Sequence, residues 1–209
     1  MAVIKRLTDS TLLVTTDDAV TLFDPGIHTF TSGAIDLNGI GEVTRVLITH
    51  EHLDHVSPSF VTWLIDRRPG LVVHANQAVA DLLSPHGIEV DTLAPHGVGF
   101  EDALHEPIAD GSYPTNRAFT IEGVITHPGD SRQLNTSGPV LALPTIVPWA
   151  SVRSGIEMAI DLQPELVIPI HDFYLNEEWR SLGQNMITPV LAEEGIEVVG
   201  LGWGKTLKV

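Results

Sequence analysis

Between Thr49 and Val56 the chain places three imidazoles and a carboxylate within six consecutive positions, as His50, His52, Asp54 and His55. Neutral imidazole nitrogen and carboxylate oxygen are donors for divalent ions such as zinc, manganese or iron. On a helix His50 and His52 would point roughly 200° apart and could not share one ion, so the segment is expected at a strand end or in a loop. The helical H-E-x-x-H motif of zinc proteases is excluded as well, because Asp54 and not histidine stands four places after His50. A polar turn carrying surface histidines is the plainer alternative, but such a density of metal ligands is rarely structural.

The flanks say how the segment is held. Val46 to Ile48 reads as a short buried strand, and Ser57-Pro58 ahead of Phe60, Val61, Leu64 and Ile65 reads as an N-cap with proline at the first helical position. The ligands therefore lie in a strand-to-helix turn. Three other apolar runs end in a donor: Val124 to His127 leading to Asp130, Val167 to Ile170 leading to His171, and Leu71 to Val73 leading to His74. Strand ends on one edge of a sheet converge, which suits a shared site.

Around these segments the chain alternates strands and helices. It opens with a hairpin, Thr11 to Val14 and Val20 to Phe23, about the Asp17-Asp18 turn, and Asp24-Pro25-Gly26 ends the second strand. A helix is expected from about Asn76 to Leu83, an irregular region from Ala94 to Pro114, and a strand from Phe119 to Ile125. There follow a strand at Val140 to Leu143, a helix at Val152 to Leu162, a strand at Leu166 to Ile170 and a helix at Glu177 to Ala192. Ile196 to Leu201 and Thr206 to Val209 read as closing strands. The class is α/β, and hairpins at both ends imply mixed sheets.

With THEHLDH, an isolated histidine, HPGDS and IPIHD in that order, the chain resembles the metallo-β-lactamase superfamily of metallohydrolases, and its wording is most similar to the L-ascorbate-6-phosphate lactonase-like branch. The resemblance covers essentially the whole chain. It implies a four-layer αββα sandwich with two mixed sheets flanked by helices, built as one domain over residues 1–209. It also implies two divalent ions, zinc first and manganese or iron as alternatives. One would be held by His50, His52 and a third histidine, the other by Asp54, His55 and His171, with Asp130 bridging. The third histidine is His105, His96 or His127; the branch usually places its ligand where His105 stands.

The same resemblance implies a hydroxide held by both metals that attacks a carbonyl or phosphoryl centre, with Asp54 and Asp130 as catalytic carboxylates. Lactone or phosphoester hydrolysis of a small molecule is the expected activity. Relatives that perform oxygen chemistry at di-iron centres carry glutamate where this chain has His52, which favours hydrolysis. β-Lactamases of the commonest class need a cysteine near Asp130, and this chain has none. The Gly-His pair that opens many relatives is replaced here by Leu7 to Ser10. His127 is expected to pack beneath the site or to donate a supporting hydrogen bond, as Asp24 and Asp172 would accept one from a histidine or else cap turns. His74, His86 and His96 are expected to be structural or solvent-facing. His28 is expected at the site edge or as a surface loop residue. Arg132, Arg117, Tyr113 and Trp149 are expected on loops that could rim the site, where a guanidinium suits a carboxylate or phosphate.

Composition bounds the alternatives. The 209 residues fit one domain, and no apolar run reaches the roughly 20 residues that span a bilayer. The start lacks a secretory pattern, so cytoplasmic residence is the default and no membrane partner is expected. Eleven basic against 27 acidic residues, a net charge of −16, would repel a phosphate backbone, so nucleic acid is not an expected partner. The absence of cysteine excludes thiolate ligands, thiol nucleophiles and disulfides. Two other readings stand beside the hydrolase: a non-catalytic metal-binding or ligand-sensing protein on the same fold, and a nucleic-acid-processing hydrolase, which would need a basic groove. Self-association into a homo-oligomer is left open.

Overall fold

The computed structural model describes residues 1–147 and 149–209. It contains two mixed sheets with flanking helices, in agreement with the α/β class and the sheet composition expected, and the chain divides into two compact units. One comprises Met1–His96 together with Gly202–Val209, the other Gly97–Leu201.

In the first unit, β1 (Val3–Arg6), β2 (Leu12–Thr15) and β3 (Val20–Phe23) run antiparallel, the last two as the expected hairpin with Leu12 opposite Phe23. Next to β3 come β4 (Arg45–Ile48), β5 (Val72–Ala75) and β6 (Val90–Asp91), all parallel, joined through the helices α1 (Ile27–Thr31), α2 (Pro58–Arg67) and α3 (Gln77–Leu83). Parallel neighbours need such crossovers. Each longer crossover helix starts on a side-chain cap: the Ser57 hydroxyl accepts from the Phe60 N–H and the Asn76 amide oxygen from the Val79 N–H. A buried cluster that includes Val46, Ile48, Phe60, Leu64, Val73 and Leu83 holds these helices to the sheet.

The second unit repeats the plan. Here β7 (Val98–Asp102), β8 (Arg117–Ile121) and β9 (Ile125–His127) are antiparallel, while β10 (Val140–Pro144), β11 (Leu166–Ile170) and β12 (Glu197–Val198) continue in parallel from β9. The helices α4 (Val152–Leu162) and α5 (Glu177–Glu193) are capped by Ser151 and Asn176. Leu141, Leu143, Met158, Val167 and Leu191 form their core.

Several expectations are corrected. The single strand over Phe119 to Ile125 is two strands that turn through Glu122-Gly123, and the region from Ala94 to Pro114 is not wholly irregular, because it holds β7. Gly99 interrupts the β7 side-chain pattern that would otherwise have announced it. The two closing strands form no hairpin: β12 pairs with β11, whereas β13 (Thr206–Lys208) joins the first unit beside β1. His28 is not in a loop but in α1, and His74 lies within β5 rather than beyond its end. No helix among the described residues is long and apolar enough to cross a membrane.

Candidate metal centre

The ligand-rich segment lies, as expected, in the turn between β4 and α2. The turn closes on His52, whose carbonyl accepts from the His55 and Val56 N–H groups at 2.9 and 2.8 Å. Its side chains are aimed by Asp24, a fully buried carboxylate. One oxygen of Asp24 accepts from the Thr49 N–H at 2.8 Å; the other accepts from the Thr49 hydroxyl at 2.8 Å and from His55 Nδ1 at 2.7 Å. A carboxylate can only accept, so His55 carries its proton on Nδ1 and presents the lone pair of Nε2. The Thr49 hydroxyl, with its own proton given to Asp24, can accept from His50 Nδ1 at 3.0 Å, which frees Nε2 of His50 in the same way.

His50 Nε2 then faces His52 Nδ1 at 3.1 Å. Two nitrogens bound at about 2.0–2.1 Å in a tetrahedral shell stand about 3.3 Å apart, so this pair fits one ion. Asp54 and His55 also offer donor atoms within reach of each other, with Nε2 and Oδ2 at 4.0 Å. Asp54 is the more exposed of the two, its side chain 21% accessible.

Gly26 makes this arrangement possible. The Asp24-Pro25-Gly26 turn runs against the metal segment, with the Ile27 N–H donating to Leu53 and the Ser57 N–H to Pro25. A Cβ on residue 26 would sit 1.7 Å from the Asp54 carbonyl oxygen, so only glycine fits. Asp24 itself has a φ of 45°, a sparsely populated backbone conformation held by three hydrogen bonds to its side chain and by backbone bonds that include its N–H to Leu47.

In the second unit Asp130 follows β9 after the Pro128-Gly129 turn, where Gly129 takes a φ of 60°. Its Oδ2 lies 3.5 Å from His105 Nε2 and 3.4 Å from His171 Nε2. The carboxylate thus stands between two imidazoles at the spacing of ligands that share ions. His105 Nδ1 donates to the Glu106 carbonyl, leaving Nε2 as its ligand atom. The His105 and Asp130 segments are tied by backbone: the Glu106 N–H donates to Asp130 at 3.1 Å, and His105 bridges Ser131. His171, directly after β11, takes a φ of 63°.

Sequence reasoning missed the group that organises this half. The buried Asn116 accepts from the Asp130 N–H at 3.1 Å and donates to the Pro128 carbonyl at 2.9 Å and the Ala103 carbonyl at 3.3 Å. An asparagine before a strand carries no signal of such a role. Trp149, by contrast, is where a rim residue would be, its ring centroid 5.6 Å from those of both His105 and His171.

The remaining candidates fall elsewhere. His127 is buried beneath the Asp130 turn, its Nδ1 accepting from the Gly129 N–H at 3.2 Å, and His74 bonds the Leu93 carbonyl at 2.9 Å. His86 and His96 are exposed. His28 stands 3.9 Å from Asp9. Asp172 closes a turn, its carbonyl accepting from the Leu175 N–H at 3.0 Å. Tyr113 is exposed in a loop. Arg117 is not on a rim loop: it lies in β8, forked onto Asp102 at 2.6 and 3.1 Å and stacked 4.0 Å over Phe100, so its charge is already matched. Arg132 is sunk beside Asp130 and donates to the Pro144 carbonyl; burial pulls its pKa down, and the charges of Asp130 and Glu106 push it back up.

The fold is shared with known proteins. Residues 4–59, which include the ligand-rich turn, match the metallo-beta-lactamase superfamily model. The chain is 27% identical over 180 residues to protein Rv0786c of Mycobacterium tuberculosis, covering 80% of this chain and 82% of that one. Igni18, a metallo hydrolase of the hyperthermophilic archaeon Ignicoccus hospitalis, superposes with a TM-score of 0.72 at 19% identity over 100% of this chain and 99% of its own. An isothiocyanate hydrolase from Delia radicum gut bacteria gives 0.66 at 13% identity, over 100% of this chain and 99% of that one. The chain therefore has the metallo-β-lactamase fold, and the segment that matches the superfamily model is the one carrying His50, His52, Asp54 and His55.

Proposed function

We propose that the protein is a metal-dependent hydrolase in which His50, His52 and His105 would hold one divalent ion and Asp54, His55 and His171 a second, with Asp130 serving both. The observation that carries this reading is the position of Asp130 Oδ2, 3.5 and 3.4 Å from the Nε2 atoms of two buried histidines. It is supported by the tautomers that Asp24 and the Glu106 carbonyl impose on His55 and His105. Nitrogen and oxygen donors of this kind suit zinc, with manganese or iron as alternatives.

Bound ions would supply Lewis-acid polarisation and lower the pKa of a water towards 7. The chain's own groups do the rest. Asp54, partly exposed, would accept a hydrogen bond from an attacking water and orient it. Asp24 holds His55, and through Thr49 also His50, in the ligand-presenting tautomer. Trp149 would form part of the wall beside His105 and His171, its ring centroid 5.6 Å from each. His52, in place of glutamate, favours hydrolysis over oxygen chemistry. We take a small lactone or phosphoester as the substrate class, on the strength of the resemblance to the ascorbate-6-phosphate lactonase-like branch. The net charge of −16 disfavours nucleic acid as a partner.

The reading is tested with metal-reconstituted protein and a panel of lactones and phosphomonoesters. Turnover that a chelator abolishes and that Asp130→Ala lacks is expected. A fully metal-loaded protein that turns over no member of the panel would move the assignment to metal-dependent ligand sensing.

A further inference from the structure

We infer that the first unit binds a small apolar carboxylate at a second site, at the C-terminal end of α2. A cavity of about 160 Å³ opens there, lined by residues that include Leu37, Ile40, Val43, Trp63 and the adjacent Arg67 and Arg68. Its size is close to the roughly 150 Å³ of an apolar cavity that takes up benzene. The walls combine hydrocarbon and indole with the Asn38 amide, and the only charges among the lining residues are positive.

The two arginines are what make this cavity specific. Arg67 lies 4.0 Å over the Trp63 ring and donates to the Trp63 carbonyl at 3.4 Å. Arg68 donates to the Arg67 carbonyl at 3.1 Å and to the Gly41 carbonyl at 3.4 Å, while its Nε is buried with no hydrogen-bond partner. Neither guanidinium makes an ion pair among the described residues, although the chain has 27 acidic side chains and only 11 basic ones. Donation to the last carbonyls of a helix accounts for part of this geometry. It does not account for two adjacent cations left without an anion beside the cavity. A carboxylate supplies that anion to the guanidinium ends, and a ring or short chain behind it fills the apolar part of the wall.

The site is separate from the metal residues. The metal residues of the first unit, His50 to His55, precede the N-terminal cap of α2, and its ten residues put the arginines about 15 Å further along the helix.

Calorimetric titration of the full chain with benzoate, and with benzyl alcohol as a neutral analogue of similar shape, tests the inference. Benzoate is expected to bind with a Kd below about 1 mM, at least about tenfold tighter than the alcohol. The double variant Arg67→Gln/Arg68→Gln should lose that preference while its thermal melting stays that of wild type. The His50→Ala variant should retain it, which separates this site from a carboxylate bound at the metal residues. Equal affinity for the two probes, no detectable benzoate binding, a preference that survives the double variant, or one that disappears in His50→Ala would each overturn the inference.

Discussion

The two units hold their candidate metal-binding donors by opposite means. In the first, four candidate ligands lie in one turn and are oriented by a single buried carboxylate, Asp24, which gathers Thr49 and His55. In the second, His105, Asp130 and His171 come from three separate strand ends, and the first two are aligned by backbone contacts and by Asn116. Both units lodge a non-glycine residue at positive φ beside the donors, Asp24 in one and His171 in the other. A compact motif needs one orienting group, whereas a dispersed one needs the sheet itself to be right.

The sharpest way to break the comparison is to disturb the first unit's scaffold without touching a ligand. Gly26→Ala drives a Cβ into the Asp54 carbonyl and should cost about 4 kcal/mol or more, because the clash is with backbone on both sides. Thermal or denaturant melting measures it, and a variant within 1 kcal/mol of wild type would show that the turn is freer than its packing implies.

Asp24→Asn keeps the shape but can no longer accept from every donor. Metal affinity is expected to fall about 10–100-fold with little loss of fold, as for other groups that orient a ligand, and competition with a chromogenic chelator measures it. Asn116→Ala is the matching test in the second unit. It strands the Asp130 N–H and two carbonyls, and should cost about 1–3 kcal/mol in stability. If Asp24→Asn lowered stability and spared metal affinity, the division between an orienting side chain and an orienting sheet would fail. The smallest effect belongs to the exposed Arg153–Glu157 pair on α4, whose Arg153→Ala variant should leave melting and metal content unchanged.

The same contrast explains what could be read from the sequence. The first unit was legible because its donors are consecutive and its boundaries are local signals: the Ser57-Pro58 cap, the Asp17-Asp18 turn, the apolar run of β4. In the second unit Asp130 and His171 were visible as strand ends, but His105 could be separated from His96 and His127 only by resemblance. What decides there is distance in space: β7 laid antiparallel on β8 carries His105 to Asp130, and nothing in residues 94–114 announces that pairing. The fate of the last two strands was hidden for the same reason, since β13 is assigned by its partner β1 at the opposite end of the chain.

The central claim is that both donor sets serve one two-ion centre, and elemental analysis of the purified, metal-reconstituted chain beside its Asp130→Ala variant tests it most directly. The account predicts close to two ions per chain in the wild type and a loss that reaches both ions in the variant, because Asp130 is shared. A wild type that takes up no zinc, manganese or iron, or an Asp130→Ala variant that keeps the full complement, would contradict it.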